Sequence, residues 1–144
     1  MTQEDKELLL KDICSRLPYG IKASYYGAEE ACETWDEIEG VTLDGFVDIG
    51  QYSLPIERIK LYLFPLSSMT DEEEKEYNIL RDDVQTYHYE FGDIVDDVEL
   101  CDNWESIDYL NAHHFDFRGL IEKSLALDAT NLDIYEFKNN KKRL

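Results

Sequence analysis

The 144-residue chain has only three cysteines and three prolines, no uncharged apolar run longer than Leu61–Met69, and few bases, with 14 Lys and Arg against 33 Asp and Glu. Each scarcity excludes something. Cys14, Cys32 and Cys101 are far apart and in no C-x-x-C spacing, so neither a disulfide framework nor a thiolate zinc cluster is expected, and small buried thiols are the simpler reading. A bilayer span needs about 20 apolar residues, so no membrane helix is expected. The first residues, Met1-Thr-Gln-Glu-Asp-Lys-Glu, are acidic where a secretory leader carries a basic n-region. The chain therefore reads as cytoplasmic.

What is present is acid, and it is segregated. No Lys or Arg lies between Lys22 and Arg58, a stretch with nine acids, and none lies from Asp82 to Phe117, which holds eleven more. Four of the 14 bases, Lys138, Lys141, Lys142 and Arg143, crowd the last seven residues, and removing them takes the formal charge from −19 to −23. Affinity for nucleic acid comes largely from cations that neutralise phosphates, so direct nucleic-acid binding by the body is disfavoured. With 43% apolar and 12% aromatic residues, the chain has enough to bury for one folded domain of this size. We expect residues 1–137 to form that domain and residues 138–144 to be a disordered basic tail.

Periodicity supplies an outline. Leu9, Leu10, Ile13, Cys14 and Leu17 recur at helical spacing from Glu4 to Leu17, with Lys6, Glu7, Lys11 and Asp12 elsewhere on the wheel, and Pro18 stops the pattern. Ile21 to Tyr26 alternates as a strand, and Ala28–Cys32 reads as a connection. Trp35–Glu39 and Val41–Ile49 read as one or two antiparallel strands, with Gly45 a candidate bulge. A further strand runs from Ile59 to Phe64 and ends at Pro65. Thr70-Asp-Glu-Glu73 fits a capping box and starts a helix from Asp71 to about Val84. Thr86–Leu100 fits a strand or an acidic loop equally well. Asp102 or Asn103 caps a helix to about His114 that buries Trp104, Ile107 and Leu110, and a last helix near Arg118–Leu127 turns Leu120, Ile121 and Leu125 inward. Leu132–Phe137 is a short strand or an ordered tail. The expectation is an α+β domain, about four helices packed with a small antiparallel sheet of three or four strands.

Several segments together carry a likeness. These are Leu8-Leu-Leu-Lys-Asp12, Arg16-Leu-Pro-Tyr-Gly20, Tyr62-Leu63 followed by Pro65 and Ser67-Ser-Met-Thr70, and Tyr109-Leu-Asn-Ala-His-His-Phe-Asp-Phe-Arg-Gly-Leu-Ile-Glu-Lys123. In this order they resemble a family of small proteins of gut anaerobic bacteria and their phages or prophages. The resemblance implies a phage or mobile-element setting; it implies no activity, cofactor or partner.

Candidate chemistry is thin. His113 and Asp116 would share one face of a continuing helix and, with a third ligand from Asp93, Asp97 or His88, could hold a divalent ion. The alternative is that His114 packs with Leu110 and Ile107 while His113 bonds a helix end, and that Asp116 and Arg118 pair or cap. Cys101 near a histidine would make a poor nucleophile, because its acidic surroundings raise a thiol pKa. No G-x-S-x-G, phosphate-cradling glycine loop or H-E-x-x-H occurs. The richest feature is Glu90, Asp93, Asp96, Asp97, Glu99, Asp102, Glu105 and Asp108, interleaved with Ile94, Val95, Val98, Leu100, Trp104 and Ile107. It is either a solvated face or an anionic surface for a basic protein. The expected function is thus a non-enzymatic, cofactor-free, cytoplasmic protein-binding domain. Its rivals are a DNA mimic that inhibits a basic nucleic-acid-binding protein, a metal-dependent enzyme using His113 and Asp116, and a virion or assembly component.

Overall fold

The structure, a computed structural model, describes residues 1–25, 34–132 and 134–135, and for residues 85–90 and 95–97 the backbone. Helix α1 (Gln3–Arg16) starts where the Thr2 hydroxyl accepts the Asp5 amide, and Pro18 in the following turn ends it. Strands β1 (Lys22–Tyr25), β2 (Thr34–Val41), β3 (Phe46–Ile49), β4 (Tyr52–Pro55) and β5 (Ile59–Pro65) form one antiparallel run in the order β4-β3-β2-β1-β5. The far edge of β5 then takes two short parallel strands, β8 (Phe115–Asp116) beside Phe64 and Pro65, and β9 (Ala126–Asp128) beside Leu61–Leu63. Helices α2 (Asp71–Leu80) and α3 (Trp104–Ala112) flank a separate two-stranded hairpin of β6 (Asp82–Glu90) and β7 (Asp93–Cys101).

Strand β5 organises the interior because side chains alternate between the two faces of a strand. Ile59, Leu61 and Leu63 enter one apolar cluster with Leu9 and Ile13 of α1, while Tyr62 and Phe64 enter another with Leu110 of α3, Phe115, Ile134 and Tyr135. A strand covered on both faces reads as a near-continuous apolar run, which is why Leu61–Phe64 is the most hydrophobic stretch of the chain. The buried Tyr135 hydroxyl donates to the Tyr62 carbonyl at 2.9 Å and accepts the Lys22 amide at 2.8 Å, tying residues 134–135 to β5 and β1.

At the end of the sheet lies a buried ion network. Asp12 and Arg16 are fully buried, one turn apart on α1, with Arg16 Nε and Nη2 donating to the two carboxylate oxygens at 2.9 and 3.1 Å. Arg118 Nη1 donates to the same carboxylate at 2.6 Å. The rest of the Arg16 fork reaches the carbonyls of Phe115 at 2.6 Å and Leu110 at 3.4 Å. One guanidinium therefore ties α1 to the end of α3 and to β8. Phe117 stacks below both cations, its ring centre 4.4 Å from Arg118 and 5.5 Å from Arg16.

The architecture is α+β, but the expected small antiparallel sheet with four helices is wrong: the main sheet has seven strands and is mixed, and the described residues hold three α-helices. The helix expected over Arg118–Leu127 does not form. Gly119 and Ser124 take positive φ of 75° and 62°, which a continuous helix does not admit, and both Asp116 carboxylate oxygens, each 2.9 Å away, accept the amides of Leu120 and Ile121 and so cap a short turn instead. Leu120 and Leu125 are buried all the same. Helix α2 stops at Leu80, so Val84 belongs to a strand. Gly45 serves a turn with φ 84°, and the register irregularity falls instead between Ile38 and Gly40. Asp12, placed off the buried stripe by the sequence, is inside it, and Cys14, placed on it, is exposed. The expected connection at Ala28–Cys32 and the tail at 138–144 lie outside the described residues.

Taking away one member of a buried ion cluster leaves the others uncompensated, at a cost of about 3–5 kcal/mol. Asp12→Ala should lower stability by that amount in urea unfolding, whereas Lys6→Ala, which breaks a half-exposed 3.5 Å pair with Glu57, should change it by less than about 1 kcal/mol.

Candidate protein-binding surface

The hairpin is built locally. Residues on either side of Phe91-Gly92 pair in register from Glu90 with Asp93 to Asp82 with Cys101. Phe91 and Gly92 have φ of 52° and 87°, the two positive values that a type I′ turn demands. Glycine meets this freely; phenylalanine does so at a cost of roughly 1–2 kcal/mol. The base is clamped. Thr70 and Glu73 complete the capping box of α2. Asn103 caps α3 by accepting the Ser106 amide at 2.9 Å, and its own amide group donates to the Leu80 carbonyl at 2.7 Å, joining the end of α2 to the start of α3. Arg81 donates to the Leu100 carbonyl at 2.7 Å and lies over the Tyr77 ring. Beyond this base, β6 and β7 pair only with each other.

Alternation sorts the hairpin's residues by chemistry. Backbone positions 82, 84, 86, 88 and 90 share a face with 93, 95, 97, 99 and 101; positions 83, 85, 87 and 89 share the other with 94, 96, 98 and 100. Five of the hairpin's seven acids (Asp82, Glu90, Asp93, Asp97, Glu99) fall on the first face. The second holds Ile94, Val98 and Leu100, with tyrosines at positions 87 and 89 and acids at 83 and 96. Ile94 and Val98 are 63% and 57% exposed, and Phe91 at the tip is 99% exposed. Seven of the fourteen large apolar residues exposed among the described residues lie between Ile79 and Trp104. Trp104, expected to be buried, is 86% exposed, while Ile107 and Leu110 of the same helix pack inward.

The eight acids singled out in the sequence are thus not one surface. Asp93, Glu99, Glu105 and Asp108 are exposed, and no ion pair among the described residues involves them. Asp102 has a structural duty: it accepts the Ser106 hydroxyl at 3.0 Å, takes the Tyr77 hydroxyl and lies 3.5 Å from Arg81 Nε. For Glu90, Asp96 and Asp97 only the backbone register applies.

The histidine and aspartate proposed as metal ligands are engaged elsewhere. Helix α3 ends at Ala112, so His113 and Asp116 share no helical face. His113 Nδ1 is 2.9 Å from the Tyr109 carbonyl and must donate to it, since a carbonyl only accepts, and its ring stacks at 4.0 Å on Tyr109. His114, with φ 60°, turns the chain from α3 into β8 and stacks at 4.1 Å on Tyr135. Among the described residues no group of three His, Cys, Asp or Glu is placed to hold a metal ion. Cys101 is part-buried at the end of β7, opposite Asp82. Two arrangements have no counterpart in the sequence reading, the Asp12 network and the stack of Arg81, Tyr77, Tyr109 and His113. The spacing of Arg16 three residues after Ile13 and seven after Leu9, on the apolar stripe, was the available signal for the first.

No family model, no curated protein and no solved structure matches the chain. No described helix is long and apolar enough to cross a membrane.

Burial, together with its bond to Asp102, pushes the Tyr77 hydroxyl up from 10.0 to about 12, and burial likewise raises Tyr109 and Tyr135. A tyrosine that keeps its proton when folded and loses it near pH 10 when unfolded stabilises the fold below pH 10, and that contribution disappears as pH rises toward 12. Stability measured from pH 9 to 12 should fall, and Tyr77→Phe should make the fall shallower. Replacing Phe91 with asparagine gives the preferred Asn-Gly turn, so hydrogen exchange of the hairpin amides should slow by about tenfold.

Proposed function

We propose that the chain is a non-enzymatic protein-binding domain whose hairpin and adjoining α3 present an anionic surface to a basic protein, in a phage or mobile-element setting. One observation supports this most: Asp82–Cys101 carries seven acids and no Lys or Arg on a hairpin whose two strands pair only with each other. Two of the body's bases, Arg16 and Arg118, are committed to Asp12, and Lys22 donates to the Ile134 carbonyl at 3.0 Å. Uncompensated like charge on a projecting element steers an oppositely charged partner and raises its association rate, an effect that weakens as the Debye length falls from about 10 Å at 0.1 M salt. Imitation of nucleic acid would use the same charge. The apolar second face favours a mixed surface over a phosphate-like one.

The test is retention from a bacterial lysate on the immobilised protein. At about 50 mM salt the retained proteins should be basic. They should be lost at about 300 mM and by the variant Asp93→Asn, Asp96→Asn, Asp97→Asn, Glu99→Gln. Retention indifferent to both salt and variant overturns the reading.

A further inference from the structure

We propose that the groove between helix α1 and the turn joining β2 to β3 binds a small amphipathic cation, an amine or guanidine carried on an apolar body. No residue of the hairpin lines this groove, so the proposal stands apart from the reading above. Its volume is about 490 Å³, within the roughly 300–1,000 Å³ of small-molecule sites. One wall is a single face of α1, because Gln3, Lys6, Glu7 and Leu10 recur at intervals of three and four. The other wall is residues 43–46 and 55–57. Thr42 fixes this turn: its amide donates to the Phe46 carbonyl at 2.9 Å, its carbonyl accepts the Gly45 amide at 3.2 Å, and its hydroxyl accepts the Phe46 amide at 3.2 Å. The Ile56 amide donates to the Gly45 carbonyl at 3.2 Å, which ties the turn to the short helical turn Ile56–Arg58.

The occupant follows from the lining. Leu10, Phe46, Pro55 and Ile56 supply apolar surface, and Leu43, which is fully exposed, adds more. An apolar body entering the groove takes part of that surface out of water. Charge decides the rest. The groove is lined by three carboxylates, Glu7, Asp44 and Glu57, and by one cation, Lys6, whose Nζ lies 3.5 Å from Glu57. Glu7 and Asp44 join no ion pair among the described residues. With Lys6 engaged, two acids are left uncompensated. An anion would meet them as like charge, and a neutral body would take them out of water unpaired, which is costly. A cation beside them avoids both penalties. A second copy of the chain brings the same acids and a formal charge of −19, so like charge disfavours it as the occupant.

Four probes titrated into the full chain test this by amide chemical shifts and affinity: phenylbutylamine, its alcohol and acid counterparts phenylbutanol and phenylbutyrate, and butylamine, which lacks the ring. Phenylbutylamine should shift the amides of residues 43–46 and 56–57 and of the first turns of α1, and should bind about tenfold more tightly than each of the others. Raising salt from about 50 to about 300 mM should weaken it. The variant Glu7→Gln, Asp44→Asn changes only exposed side chains, and it should bring the amine down to the affinity of the alcohol. Asp93→Asn, Glu99→Gln, an equal change of charge on the hairpin, should leave the amine unaffected. Equal binding of amine and alcohol, or an equal loss in both variants, overturns the assignment of a cation to this groove. Shifts confined to other surfaces, or none, overturn the site. Self-association on sedimentation through the groove, tighter binding of a lysine peptide than of the amine, or groove amides that move on deletion of residues 138–144 with no probe present gives the groove a different occupant and overturns the proposal.

Discussion

The carboxylate of Asp12, bonded to Arg16 at 2.9 Å and to Arg118 at 2.6 Å, is the contact on which the arrangement of the layers depends. Packing alone would let α1 slide over its side of the sheet, because apolar contact has no direction. A planar guanidinium with fixed donor positions removes that freedom. Arg16 reaches carbonyls on both Leu110 and Phe115, so the end of α3 and the start of β8 are set relative to α1. Such a cluster contributes little net stability over an apolar equivalent of the same shape. Its consequence is register: β8 lies beside Phe64 and Pro65 because the chain before it is held in place.

From that fixed point the two-sided covering of β5 follows. Leu61 and Leu63 look toward α1, and Tyr62 and Phe64 toward α3 and Tyr135. The apolar material is used here, on both sides of one strand. The described apolar residues between Leu80 and Asn103 join neither cluster, and the segment forms a hairpin tied at its base by Asn103 and Arg81. Scaffold and arm are therefore energetically separable. Changes in the hairpin should leave the core intact, and this makes its surface residues open to substitution without loss of the fold.

How far the sequence disclosed this depends on whether a signal was local. The capping box at Thr70 and Glu73, the ending of α1 at Pro18, and the strand from Ile59 to Pro65 were legible because each is settled within a few residues. The seven-stranded sheet was not, since β8 and β9 are two and three residues long and exist only through pairing with β5. The helix expected after Arg118 failed for a related reason. Leu120, Ile121 and Leu125 fit helical spacing, but the backbone turns left-handed at Gly119 and Ser124, which spacing does not reveal. The buried Asp12 was hidden because an acid on a helix is ordinarily read as solvated, and its second cation comes from 106 residues away. The acidic run was visible from the start. What was missing was its division by strand alternation into an acidic and an apolar face, which needs the register of Glu90 against Asp93.

That division bears on why an arm with several unfavourable local choices persists. Phe91 occupies a left-handed position that asparagine or glycine would fill at less cost, and Ile94 and Val98 meet water. In the free protein each is a penalty, and none is relieved by the core. A basic partner on this surface would place cations beside the acids and apolar side chains beside Ile94 and Val98. The charges would then govern how fast a partner arrives, and the apolar contact how long it stays. An arm stable by itself would need none of this, which is the physical reason to look for its function in what completes it.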